Sequence, residues 1–186
     1  MTDPTDWLYE KVLVLRCQAG DETAFAELVE RYQLRLRYYL RKMLHDESGT
    51  EDALQDVWLC VFRGLPLLAH VGAFRTWLYR IARDRAYREL RKKRPVYRPL
   101  EEAELIVERL EATPFKAEDV EHIHAALDEL AAEQREVLVL RYVEEMTYAE
   151  IAGVTGCQVG TVRSRLHYAK RGLRGVLERM NVHDRE

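Results

Sequence analysis

The sequence contains few residues that interrupt helices or form cross-links: 5 prolines, 9 glycines and 3 cysteines among 186 residues. The scarcity of proline and glycine favours helices over a fold of short strands and tight turns. Cys17, Cys60 and Cys157 are far apart and none belongs to a CxxC pair. This spacing argues against a disulfide framework and a zinc site, so we expect a reducing, cytoplasmic environment.

Long apolar runs are also absent. No window approaches the roughly 20 apolar residues that span a bilayer, and Asp3 and Asp6 stand where a signal peptide carries basic residues. We therefore expect no membrane insertion and no export signal. The sequence also lacks a glycine-rich phosphate loop, HExxH, GxSxG, and Cys or His residues at ligand spacing. These absences predict a protein that is not an enzyme, with no catalytic residue, cofactor or metal site.

Charge is distributed unevenly, although the net charge is only −3. Residues 63–98 carry 11 Lys and Arg against 2 Asp and Glu, and residues 161–179 carry 6 against 1. The intervening residues 99–133 carry 2 against 11. Two basic segments separated by an acidic one indicate two nucleic-acid-binding faces, although basic runs also occur on helix faces that are merely solvated.

Apolar residues recur at helical spacing through most of the chain. Asp21 is predicted to cap a helix over 22–44, and Thr50 is predicted to cap a second helix over 51–62 after a turn. A third helix is predicted from about residue 73 to 94, where prolines end it. The N-terminal half is therefore expected to be a helical bundle.

The helical pattern weakens at 96–119, where acidic residues accumulate and Pro114 interrupts. This segment is predicted to be a linker, with a short helix considered at 101–110. A helical module resumes at residue 120. The predicted fold is all-α, with two helical domains, 1–95 and 120–186, joined by the acidic linker.

The C-terminal module contains the pattern of a helix-turn-helix. Thr147 is predicted to cap a short helix over 148–152, followed by a turn at 153–158 and a second helix from 159 to about 174. Apolar residues of the second helix step by three and four and should face inward: Val162, Leu166, Ala169, Leu173 and Val176. The residues predicted to contact bases and phosphates are Thr161, Arg163, Ser164, His167 and Arg171. A solvated hairpin whose basic end complements the helix dipole is the alternative.

Seven segments resemble extracytoplasmic-function sigma factors of the sigma-70 family. Four are similar to that family's promoter-reading C-terminal domain: ALDEL at 126–130, REVL at 135–138, MTYAEIA at 146–152 and VGTVRSRL at 159–166. Three are similar to its N-terminal domain: AGDETAF at 19–25, EDALQDVW at 51–58 and FRTWLYRIAR at 74–83. The resemblance covers roughly residues 8–180 in the family's order. It implies a sigma factor that directs RNA polymerase core to promoters and initiates transcription.

The resemblance implies that the second helix binds the clamp coiled coil of the polymerase through Asp52, Gln55 and Asp56, and that the protein also contacts the flap region of the polymerase. Asp52 and Asp56 are one turn apart, on the side away from Leu54 and Val57, where they can meet a basic partner. An acidic first turn that favours the helix dipole is the alternative interpretation of Asp52.

The helix at 73–94 is similar to the element that opens the minus-ten region and binds the non-template strand. The residues predicted to contact DNA are Arg75, Tyr79, Arg80, Arg83, Asp84 and Arg88. Arginines interleaved with aromatic rings suit single-stranded DNA, although Phe74 and Trp77 are expected to lie mostly in the core. The loop at 67–73 resembles the segment that captures a flipped-out base.

Three positions depart from the family pattern. Asp84 replaces a common Asn, and its carboxylate cannot donate a hydrogen bond and repels phosphate. Asp84 is therefore expected either to change minus-ten base preference or to pair with Arg80 or Arg88. In the helix-turn-helix, Thr155 and Gln158 replace a commoner Leu and a Pro or Ser. We expect Thr155 to loosen the turn and Gln158 to reach a phosphate.

The resemblance also implies that the acidic linker passes through polymerase clefts and that an anti-sigma factor silences the free protein. A flexible solubilising tether is the alternative for the linker. Two other functions compete with the sigma-factor hypothesis. A polymerase-independent regulator would bind an operator tightly as a dimer, and a protein-binding adaptor would show no base preference.

Overall fold

The computed structural model describes residues 4–93 and 120–183. Of these residues 88% are helical, and none forms a strand. They divide into two compact units, formed mainly by 4–93 and by 120–183. The predicted all-α fold with two helical domains is confirmed. The helix considered at 101–110 lies outside the described residues.

Four helices form the N-terminal unit: α1 (Pro4–Gln18), α2 (Glu22–Leu44), α3 (Glu47–Gly64) and α4 (Phe74–Lys93). A loop with two 3-10 turns, Leu65–Leu67 and Val71–Ala73, joins α3 to α4. Aromatic side chains of α2 and α4 meet edge to face in the core, with ring centroids 5.7 Å apart for Tyr32 and Phe74 and 5.6 Å for Tyr39 and Tyr79. Such pairs stabilise a core beyond the area that they bury.

Helix α1 was not predicted, because apolar residues surround it instead of forming one stripe. Leu13 and Val14 are fully buried, whereas Leu8 and other apolar residues of this helix are largely exposed. Its buried Glu10 accepts a hydrogen bond from the hydroxyl of Tyr32. Burial, reinforced by the neighbouring carboxylate of Glu10, raises the pKa of Tyr32 above its ordinary value. This hydrogen bond joins α1 to α2.

The predicted start of the second helix is wrong. Helix α3 begins at Glu47, four residues before the predicted start, with Asp46 at the N-cap position. Thr50 is fully buried one turn inside the helix, and its hydroxyl donates to the Asp46 carbonyl at 2.7 Å. His45 ends α2 in a left-handed conformation (φ 52°), so the chain reverses within two residues. A buried Thr bonded to the preceding turn resembles a cap residue in sequence alone.

The C-terminal unit consists of α5 (Val120–Asp128), α6 (Ala132–Leu138), a π-helical turn (Val139–Val143), α7 (Tyr148–Thr155) and α8 (Val159–His183). Helices α7 and α8 form the predicted helix-turn-helix, but the turn is shorter than predicted because α7 continues to Thr155. Gly156 adopts φ +70° in this turn, a conformation that glycine reaches without a steric cost. Helix α8 continues past residue 174, where it was predicted to end.

Two helix caps were predicted correctly. The Asp21 carboxylate accepts from the backbone N–H groups of Thr23 and Ala24 at 3.0 and 3.1 Å. Before α7, the Thr147 hydroxyl accepts from the Glu150 N–H at 3.2 Å, and the Glu150 carboxylate accepts from the Thr147 N–H at 2.7 Å. This reciprocal pair is a capping box, which orients the first helix of the helix-turn-helix.

Within 4–93 and 120–183, no helix is long and apolar enough to cross a membrane. The same residues contain no cluster of three or more His, Cys, Asp and Glu side chains that could hold a metal ion.

Candidate nucleic-acid interface

Helix α8 separates an apolar face from a basic one, as predicted. Val162, Leu166, Ala169 and Val176 are buried, and Leu173 is half-buried. On the opposite side Arg163 and Arg171 are exposed, and His167 lies between them half-buried. A spacing of four residues places these three side chains on one face of the helix.

The other two predicted residues of α8 lie near its start. Thr161 and Ser164 are half-buried. The Ser164 hydroxyl donates to the Thr161 carbonyl at 3.0 Å, which leaves its oxygen lone pairs as acceptors. Gln158 is exposed just before the helix begins. These polar groups extend the basic face of α8 toward its N-terminus, where backbone N–H groups favour phosphate.

Two basic residues of this face were missed. Lys170 and Arg174 are exposed, seven and eleven positions after Arg163, and therefore continue its row. The Lys170 ammonium lies 5.3 Å from the ring centroid of Tyr142, a cation–π distance. The spacing from Arg163 was a sufficient signal for both residues.

Helix α4 carries a second exposed row. Arg80, Asp84 and Arg88 are exposed at intervals of four residues, and the exposed Arg91, which was not predicted, continues the row. Within the described residues no ion pair joins Asp84 to Arg80 or Arg88. The expected pairing of Asp84 with either arginine is therefore wrong, and its carboxylate lies free between two cations on this face.

The prediction that Tyr79 contacts DNA is wrong. Its side chain is fully buried, with its ring against Tyr39, because Tyr79, Ala82 and Ala86 form one inward stripe at spacings of three and four. A buried ring cannot stack on a base. Tyr87 is also buried, and the Arg83 guanidinium lies 4.3 Å from its ring centroid.

Arg75 and Arg83 are both half-buried on α4. Arg83 lies between the exposed row and the core stripe, whereas Arg75 precedes Tyr79 by four residues and lies on the side of the core stripe. The six predicted minus-ten residues are therefore not all brought together: three form the exposed row, Arg83 borders it, Arg75 lies on the core-facing side and Tyr79 belongs to the core.

The predicted polymerase-binding residues form an exposed face on α3. Asp52, Gln55 and Asp56 are all exposed, and the Asp56 carboxylate lies 3.5 Å from a guanidinium nitrogen of Arg85 on α4. Residues one and two turns further along this face are apolar and also exposed: Leu59 (52%) and Phe62 (61%). The last two were missed, although their spacing of seven and ten from Asp52 places them on the same side. The face therefore has an acidic half and an apolar half.

Comparisons with known proteins agree with this geometry. The family model for Sigma-70 region 2 matches residues 28–96, and the model for Sigma-70, region 4 matches residues 121–173. The RNA polymerase sigma-H factor of Pseudomonas aeruginosa is 33% identical over 181 residues, which cover 91% of this chain and 94% of that protein. This chain belongs to the sigma-70 family. The ECF RNA polymerase sigma-E factor of Escherichia coli K12 is 30% identical, with the same coverage, which assigns the chain to the extracytoplasmic-function group.

A solved structure supports the fold of this sigma factor. The sigma factor RpoE of Bartonella quintana, determined in complex with the anti-sigma factor NepR, is 22% identical with a TM-score of 0.59, covering 82% of this chain and 97% of that one. Sigma factors of this family are not enzymes; they bind RNA polymerase core and promoter DNA and start transcription at specific promoters. This sigma factor therefore directs RNA polymerase to promoters. That activity argues against both the polymerase-independent regulator and the protein-only adaptor.

Proposed function

We propose that two helices of the sigma factor divide promoter recognition. Helix α8 reads the minus-thirty-five element, and α4 opens the minus-ten element and binds the displaced strand. The observation that carries this proposal is the two-sided character of α8, whose apolar face is packed while its basic face is free. The residues assigned to the minus-thirty-five element are Thr161, Arg163, Ser164, His167 and Arg171, extended by Lys170 and Arg174.

On α4 the assignment differs from the sequence prediction. The exposed row of Arg80, Asp84 and Arg88 contacts the minus-ten DNA, with Arg83 at its border and the half-buried Arg75 near the start of the helix. Tyr79 is excluded because it lies in the core. Single-stranded DNA needs a cationic groove and planar partners, and exposed guanidinium groups supply both the charge and a planar surface for stacking.

The exposed face of α3 is the proposed docking surface for the polymerase clamp. Asp52, Gln55 and Asp56 provide charge for a basic partner, and Leu59 and Phe62 provide apolar area beside it. Charge complementarity steers an encounter and buried apolar area holds the complex, so a surface of both kinds suits a stable partner. A second contact of the sigma factor with the polymerase flap is also proposed.

We further propose domain limits of 1–95 and 120–186, a linker at 96–119 that occupies polymerase clefts, and a cytoplasmic location. An anti-sigma factor is proposed to silence the free protein, by analogy with the relative that was solved with one. Such a partner would compete with core polymerase for the sigma factor.

The experiment is transcription by purified bacterial core polymerase on a fragmented genomic library, with and without the full chain, followed by sequencing of transcript starts. We expect new starts that share two spaced upstream motifs. Retention of specific fragments by the chain alone, with no new starts, would contradict the proposal. The proposed polymerase surface is checked by Asp52→Lys and Asp56→Lys, which should weaken binding to core while leaving the thermal unfolding midpoint nearly unchanged.

A further inference from the structure

The loop between α3 and α4, residues 65–73, has little packing of its own. A backbone hydrogen bond from Leu68 N–H to the Leu65 carbonyl at 3.1 Å closes the first turn. The second turn is closed by bonds from Ala73 N–H to the His70 carbonyl at 2.9 Å and from Phe74 N–H to the Val71 carbonyl. Leu65 is buried, but Leu67 at the tip of the first turn is 85% exposed. The position of this connecting loop therefore depends on contacts from elsewhere in the unit.

Gln18, the last residue of α1, provides such a contact. Its side-chain nitrogen donates to the Leu65 carbonyl at 3.0 Å and to the Leu68 carbonyl at 2.8 Å. A primary amide carries two N–H groups on one nitrogen, so a single glutamine can bond both carbonyls at once. Gln18 thus connects the two ends of the first turn, although it lies almost fifty positions earlier in the chain.

Helix α1 also contacts the second turn of the loop. A Cβ atom placed on Gly72 would lie 3.1 Å from Cε of Lys11, so the aliphatic part of the Lys11 side chain lies directly against this glycine. The Lys11 ammonium lies 3.3 Å from the ring centroid of Trp7, which restricts the movement of the side chain. One helix therefore contacts both turns, and Gln18 makes the directional contact.

We infer that Gln18 is a positioning residue for minus-ten selection, acting through the connecting loop. The inference rests on the proposed minus-ten function of this part of the protein and on the interpretation of residues 67–73 as the segment that captures a flipped-out base. A flipped base is read by a pocket that closely fits it, and a loop with few internal contacts can form such a pocket only when its backbone is held. Gln18 precedes residue 28, where the match to Sigma-70 region 2 begins.

The test uses holoenzyme reconstituted from bacterial core polymerase and variants of the full chain. Gln18→Glu keeps the shape of the side chain but replaces two donors by a carboxylate that repels both carbonyls. Gln18→Lys restores N–H donors at a similar reach. Ala19→Glu adds the same charge at the neighbouring exposed position and is the matched control. The readout is the ratio of transcription from the preferred promoter to transcription from promoters with single minus-ten substitutions.

We expect Gln18→Glu to lower this discrimination ratio by about tenfold, an effect of the size that follows when partly buried hydrogen-bonding groups lose their partner. Affinity for core polymerase should stay close to that of Ala19→Glu, because Gln18 lies outside the proposed polymerase-binding face. Gln18→Lys should recover most of the ratio. A failure of the lysine variant to recover it would contradict the hydrogen-bond basis of the inference.

Other outcomes separate this inference from the proposed function. If Leu67→Ala changes the ratio while Gln18→Glu does not, the loop reads the minus-ten element but Gln18 does not position it, and the inference is wrong. If neither variant changes the ratio, both the role of the loop and the inference fail. An equal loss on all promoters, together with lower core affinity, would assign Gln18 a purely structural role and overturn the inference.

Discussion

Helices α4 and α8 are both strongly basic, yet they present their residues differently. Helix α4 carries 8 Lys and Arg against 2 Asp and Glu, and α8 carries 6 against 1. On α8 the predicted basic residues lie on or beside a single free face. On α4 the arginines are exposed or half-buried, while the aromatic Tyr79 and Tyr87 lie in the core.

This difference shows for which residue types the exposure of the side chain can be predicted from sequence. A guanidinium group is excluded from an apolar core by the cost of removing its charge from water, so an arginine on a helix is very often accessible. A tyrosine ring is favourable both in a core and against a base, so the pattern leaves its location open. Tyr79 went to the core because Tyr39 of α2 provides an edge-to-face partner there.

The largest effect should come from substitutions at Tyr79. Tyr79→Ala removes a fully buried ring and is expected to cost about 3–5 kcal/mol of unfolding free energy, whereas Tyr79→Phe keeps the ring and should cost much less. Urea unfolding of the full chain measures both. If Tyr79→Ala had native stability and a specific defect in minus-ten opening, the ring would contact DNA. The stated difference between α4 and α8 would then be wrong.

Arg163→Ala on α8 should have the next largest effect. Loss of one base-reading arginine is expected to cost about 1–3 kcal/mol, or roughly five- to 150-fold in transcription from a dependent promoter, with relaxed preference at one minus-thirty-five position. Arg179→Ala is the control, because Arg179 is exposed on the same helix but pairs with Glu129 at 3.2 Å. Equal activity of Arg163→Ala and the control would disprove the assignment of α8 as the reader.

The exposed row of α4 contains an acidic residue, Asp84, whereas residues 163–174 of α8 contain none. The substitution Asp84→Asn tests the effect of this charge. Removing this charge between Arg80 and Arg88 should strengthen binding of the holoenzyme to the non-template strand by about two- to fivefold at low salt, with a smaller gain at high salt. Glu89→Gln is the control, since Glu89 pairs with Lys92 at 2.7 Å. Weaker binding by Asp84→Asn would mean that the carboxylate accepts a hydrogen bond from a base.

The smallest effect concerns the pH dependence of the unit that contains α4. The Thr23 hydroxyl, then the Ala24 N–H and Arg16, hold the pKa of Asp21 well below its ordinary value. The folded-state pKa is lowered, so the contribution to stability is present above the unfolded-state pKa of about 3.9 and is lost as pH falls below it. Unfolding midpoints of the natural chain and of Asp21→Ala should therefore differ at neutral pH and converge in acid. A constant difference across this range would contradict the prediction.

Much of the fold follows from local chemistry. Apolar spacing of three and four marks α2, α4 and α8, and the caps at Asp21 and Thr147 depend only on residues within one turn. The inward and outward faces of α8 also follow from spacing, because its apolar and charged residues fall on opposite sides. The motifs that resemble sigma factors are sufficient to identify the family without three-dimensional information.

Some of the missed features had a local signal: Lys170, Arg174, Leu59 and Phe62 could have been found from their spacing on the helix. Others had no such signal. Helix α1 has no clear stripe, and the buried position of Thr50 reflects an early reversal at His45. Tyr79 was drawn inward by Tyr39, and Gln18 reaches Leu65 and Leu68 across almost fifty residues.

The sequence by itself thus determined the all-helical architecture, the family and the basic faces, because helical periodicity, capping and charge exclusion act locally. Only the tertiary structure decided which rings are buried and what holds the connecting loop, because these depend on which distant partner completes a contact. Arg163 could be assigned from its own helix, whereas Tyr79 required knowledge of α2. The cost of removing a charge from water favours exposure of a charged residue in any fold. The location of an amphipathic or hydrogen-bonding residue depends instead on which residues surround it.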